Sequence, residues 1–103
     1  MPPEFQSEKW KALKRLDDKR TQDVRFLFVL REVFKMRSGP VLAIAKRAGV
    51  DAEETLRHCR DLQDLGLVEL APSNATDAFA TYARLSQKAL ELEVFLRGFR
   101  LLW

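Results

Sequence analysis

Side chains able to make or break bonds are scarce in this 103-residue chain: it has one histidine, His58, and one cysteine, Cys59. A lone thiol cannot close an internal disulfide, and one thiol beside one imidazole falls far short of a Cys/His metal-ligand set. Cys59 is expected on the inward face of its helix, as a small buried thiol rather than a redox centre. No glycine-rich phosphate loop and no G-x-S-x-G nucleophile elbow occurs. The sequence therefore predicts no enzyme, no cofactor and no metal. What remains is charge able to meet phosphate: Arg57 and Arg60, Lys46 and Arg47, Arg84, and the run Lys9, Lys11, Lys14, Arg15, Lys19 and Arg20.

The net charge of +3 and isoelectric point near 9.3 permit a nucleic-acid partner without requiring one. The distribution is more informative. Residues 1–50 carry twelve Lys/Arg against six Asp/Glu, and residues 79–103 carry four against two. Residues 51–78 reverse the sign, with Arg57 and Arg60 against Asp51, Glu53, Glu54, Asp61, Asp64, Glu69 and Asp77.

These charges sit on elements legible from periodicity and punctuation. The composition is 47% hydrophobic and 32% charged, which suits one small globular domain over 1–103. Trp10, Leu13 and Leu16 recur three apart among lysines, so residues 1–20 read as a basic amphipathic helix ending near Asp17–Asp18. Phe26, Val29, Leu30, Val33 and Phe34 mark a core helix over 22–36, with Thr21 or Asp23 as cap. Ser38-Gly39-Pro40 breaks the chain, and Pro40 suits either the end of a short extended piece or a helix start. A short helix over 41–48 closes at Gly49, and another, capped by Asp51, runs to about Leu65 before Gly66. Strands near 67–70 and 79–85 flank a loop and form a hairpin, and residues 86–103 form a last helix capped by Ser86. The expected class is mainly α with a small β-hairpin.

The stretch LAIAKRAGVDAEETLRHCRDLQDLGLVEL resembles the core of the winged helix-turn-helix. Leu42 to Val50 is similar to the positioning helix and turn, and Leu62 to Glu69 to the end of the recognition helix entering the wing. Tyr82-Ala83-Arg84-Leu85-Ser86, followed by Lys88, resembles the strand and helix start of MarR-like and PadR-like transcriptional regulators. The likeness spans roughly residues 22 to 92. It implies a winged helix-turn-helix with extra N- and C-terminal helices, the core lying over 22–85.

On that resemblance, Arg57 and Arg60 would enter the major groove, Asn74 and Thr76 of the wing would hydrogen-bond, and Lys46, Arg47 and Arg84 would meet phosphates. On the second helix Ala52, Thr55, Cys59 and Leu62 share the inward face, Leu56 lies on the flank, and Glu53, Arg57, Arg60, Asp61 and Asp64 face out. The spacings Glu53–Arg57, Arg57–Asp61 and Arg60–Asp64 are four residues each, so both arginines can pair within the helix. The wing, residues 72–77, contains no Lys or Arg.

The last helix carries Leu92, Phe95, Leu96, Phe99, Leu102 and Trp103. Such a stripe exceeds what one small domain readily covers, and with Trp10 and Leu13 it predicts a homodimer interface. The alternative is that the N-terminal helix of the same chain covers it. Two readings of function stand: a dimeric DNA-binding transcriptional regulator, and a winged-helix adaptor that binds protein through its acidic recognition face and hydrophobic helices. The absence of a leader or long apolar run predicts a soluble, cytoplasmic protein with no membrane partner.

Overall fold

The computed structural model describes residues 3–71 and 81–98, with side chains from residue 10 onward. Helix α1 spans Pro3–Gln22 and α2 Val24–Met36. Strand β1 (Ser38–Pro40) leads into α3 (Val41–Ala48) and α4 (Ala52–Asp64), followed by β2 (Val68–Ala71), β3 (Tyr82–Leu85) and α5 (Gln87–Gly98). The expected helix-turn-helix and hairpin are both present.

Helix α1 runs past the expected stop at Asp17–Asp18. Asp17 itself carries the chain onward: its side chain pairs with Arg20, and its carbonyl accepts a hydrogen bond from Thr21 Oγ1 at 2.8 Å. Asp23 breaks the helix and begins the next, its carboxylate accepting the Arg25 N–H at 3.0 Å as an N-cap. Helix α2 is the central element. Phe26, Leu27, Val29, Leu30, Val33 and Phe34 are all buried, a stripe wide enough to touch α1, α3, α4 and the sheet.

The turn between α3 and α4 depends on Gly49, whose φ of 71° is left-handed and whose N–H closes on Ala45 O. Gly66, at φ 77°, likewise turns the end of α4 into β2. The hairpin has a third partner: the sheet order is β1-β3-β2, antiparallel throughout, with Gly39 opposite Ala83. Pro40 fills both roles offered by the sequence, ending edge strand β1 and preceding α3.

The start of α5 is fastened to the end of α4. Ser86 N–H donates to Leu67 O at 3.0 Å and its hydroxyl to Gly66 O at 2.6 Å, while the same hydroxyl accepts the Ala89 N–H at 3.2 Å. Lys88 Nζ reaches Leu65 O at 3.5 Å. One hydrophobic cluster joins all five helices and the hairpin, from Leu13 and Leu16 of α1 through Phe26, Phe34, Ile44 and Leu62 to Ala83, Leu92 and Leu96. Among the described residues, no helix is long and apolar enough to cross a membrane.

Candidate nucleic-acid interface

Helices α3 and α4 pack across the Gly49 turn and leave one face of α4 outward. Thr55, Cys59 and Leu62 are fully buried there, as the helical spacing predicts, while Glu53, Arg57, Arg60 and Asp64 are exposed. Burial pushes the Cys59 thiol up to about 12, which makes it an inert core group. Leu56 departs from expectation: it is buried, because α4 packs against α2 and β2 as well as α3 and its covered arc is wider than one face. It offers no surface to a partner.

The charge layout also differs from the sequence arithmetic. The four-residue spacings within α4 do not carry the ion pairs found there. Arg57 instead pairs with Glu54 at 3.3 Å, three residues away, and the acids are answered from other helices. Arg25 of α2 reaches Glu54 at 2.8 Å, and Lys19 of α1 reaches Asp61 at 3.4 Å. Two of the carboxylates that make residues 51–78 acidic, Glu54 and Asp61, are thus paired with cations outside α4. Arg60 is exposed and makes no ion pair among the described residues.

The supporting basic residues lie around this face. Lys46 and Arg47 end α3 and are exposed, Arg47 pairing with Glu32 at 3.3 Å. Arg84 stands opposite Glu69 across the β2–β3 ladder and is held by its carboxylate, which raises the arginine further above its ordinary value. Exposed pairs of this kind are weak, so the guanidinium groups can be drawn to stronger phosphate partners. Asn74 and Thr76 lie outside the described residues.

The residues expected at a dimer interface divide. Leu13, Leu92 and Leu96 are buried inside the chain's own core, where α1 covers α5. Trp10 and Phe95 meet edge to face, with ring centroids 5.7 Å apart. Within-chain packing takes up Leu13, Leu92 and Leu96, whereas Trp10 keeps about half of its surface open at 52% exposed. Phe99, Leu102 and Trp103 lie outside the described residues. The outward side of α5 shows Leu90 and Val94 instead, the latter 81% exposed.

His58, to which the sequence assigned no role, is buried behind the exposed face of α4. Its ring stands edge-on to Phe26 at 5.6 Å, and its Nε2 is 3.7 Å from Asp23 Oδ2. Burial lowers its pKa below the usual 6.5, outweighing the opposing pull of Asp23, Glu54 and Asp61, with Arg57 adding to the lowering. The folded chain thus holds a neutral ring, whereas the unfolded chain takes up a proton as pH drops below about 6.5. Unfolding free energy should accordingly be level above that pH from this group and decline below it. A series of denaturant melts from pH 7.5 to 5 checks this: His58→Gln should flatten the decline, and an equal slope in both proteins would contradict it.

No protein-family model matches the sequence, and no curated protein is similar to it at a significant level. Solved structures do resemble it. The reduced form of MarR from E. coli superposes with a TM-score of 0.56 at 20% identity, covering 98% of this chain and 79% of that one. The YusO protein from Bacillus subtilis gives 0.57 at 20% identity, with 95% and 77% covered. A MarR family transcriptional regulator from Silicibacter pomeroyi gives 0.53 at 16%, with 84% and 60% covered. At these identities the likeness speaks for architecture, and on it the chain has a winged-helix fold of the MarR type.

Proposed function

We propose that this chain is a DNA-binding transcriptional regulator that works as a homodimer, with α4 as its recognition helix. One observation carries the reading: Arg57 and Arg60 project from the exposed face of α4 while Glu54 and Asp61 are neutralised from α2 and α1. On this reading Lys46, Arg47 and Arg84 meet phosphates, and Asn74 and Thr76, between β2 and β3 in sequence, hydrogen-bond to the duplex. The dimer contact would use the outward side of α5 together with residues 99–103. The cytoplasm is its compartment on this reading.

The test is duplex binding as a function of salt. About five phosphate contacts give a log–log slope of about −4 to −5. No binding at low salt, or a flat slope, removes the reading. The adaptor alternative draws on Glu53 and Asp64, exposed beside the arginines, and stands if no duplex is bound.

A further inference from the structure

Behind the recognition face, the fold gathers three groups far apart in sequence. Asp23 lies between α1 and α2, and Glu54 and His58 are one turn apart on the same side of α4. One ligand atom from each lies within 4.8 Å of the other two.

His58 makes this more than two carboxylates beside one another. Its side chain is only 7% exposed, its Nε2 lies 3.7 Å from Asp23 Oδ2, and neither ring nitrogen has a hydrogen-bond partner among the described residues. A buried imidazole left this way lacks a partner for its lone pair, which a metal ion supplies. We propose that Asp23, Glu54 and His58 bind a divalent transition-metal ion of the zinc class, and that its arrival takes Glu54 away from Arg25 and Arg57.

The geometry is close to what such an ion needs. Tetrahedral zinc with ligand bonds of about 2.0–2.1 Å sets its ligand atoms about 3.4 Å apart. The His58–Asp23 pair is already at 3.7 Å, and the remaining closure is within the reach of side-chain rotation. Asp23 Oδ1 is occupied by the Arg25 N–H, which orients the carboxylate and leaves Oδ2 for the ion. An imidazole with two carboxylates suits zinc, manganese or ferrous iron better than the all-oxygen shells of calcium or magnesium. A cleft beside Lys19, Gln22 and Arg57 gives solvent access to Asp23 and His58.

Two guanidinium groups now stand where the ion's charge would act. Glu54 Oε2 accepts from Arg25 at 2.8 Å and Oε1 from Arg57 at 3.3 Å, and both arginine side chains are more than half exposed. Either can swing into water. Ion and arginines compete for one carboxylate, so binding releases Arg57 on the recognition helix and ties α4 to the junction of α1 and α2.

Calorimetric titration of the metal-stripped full chain with Zn²⁺, and with Mg²⁺ for comparison, tests this. One Zn²⁺ per chain is expected. His58→Gln and Glu54→Gln should each weaken it by about tenfold or more. Arg57→Ala, an exposed change that spares the core, should instead tighten it by roughly fivefold, because a competitor has gone. An absence of Zn²⁺ binding, affinity indifferent to His58 and Glu54, or weaker binding by Arg57→Ala overturns the site.

These arms use no DNA, so they stand apart from the regulatory reading. Resting on that reading, duplex affinity should rise by roughly fivefold in Zn²⁺ over chelator, as linkage requires. Zinc that binds as described yet leaves duplex affinity unchanged overturns the coupling.

Discussion

Replacing Arg57 and Arg60 together by glutamate should lower duplex affinity by a factor of about 10² to 10⁴ at about 0.1 M salt. A charge-assisted contact contributes about 1.5–3 kcal/mol, and two such contacts are lost while two repulsions are added. The fold should be indifferent. Both side chains project from α4 into water, and Glu54 keeps its second partner, Arg25, at 2.8 Å. Gel-shift or anisotropy titrations on one duplex measure the loss, with circular dichroism verifying helix content. Neutralising the exposed Lys11 and Lys14 is the informative comparison. If that pair governs affinity and the arginines do not, the chain binds DNA as a polycation and α4 reads nothing.

The largest effect on stability is expected at Phe34→Ala. Phe34 is 1% exposed at the end of α2 and packs in the cluster shared by every helix. Truncating a buried phenylalanine costs about 3–5 kcal/mol, as lost transfer energy plus the cavity left behind. A domain of this size has roughly 5–15 kcal/mol in total, and each kcal/mol shifts the midpoint by about 4–8 °C. A fall of roughly 12–40 °C follows, read by thermal melting. Val94→Ala, on the open side of α5, should change stability by less than about 0.5 kcal/mol. A small loss at Phe34 would mean that α2 is not the element on which the others pack.

The helix-turn-helix was legible because its signals are local. Gly49 and Gly66 mark reversals that only a left-handed residue makes cheaply, and the apolar spacing in α2 and α4 follows the helical period. Strand β1 was not legible as a sheet member. Ser-Gly-Pro has no strand propensity, and it is extended because β3 offers it a ladder, with Leu85 N–H donating to Arg37 O at 2.9 Å. Helix α1 outruns its expected end because an acidic pair halts a helix only when nothing answers it, whereas Asp17 holds the next turn through Arg20 and Thr21.

The site was legible in its residues and not in its pairings. Exposure of Arg57 and Arg60 follows from helical spacing alone. Their electrostatic surroundings do not, since Arg25 and Lys19 reach α4 from other helices and no local rule connects them. For the same reason His58 carried no signal: its neighbours Phe26 and Asp23 lie more than thirty residues upstream. The only cue was its spacing of three residues from Thr55 and four from Glu54.

The fastening of α5 to α4 through Ser86 and Lys88 has a mechanical meaning. The carbonyls just past the end of α4, at Leu65 and Gly66, are taken by Lys88 and Ser86 at the start of α5. If a second subunit grips α5, a twist applied there passes into α4 like torque through a keyed shaft, and the spacing of the two copies of α4 is then set by the grip between subunits.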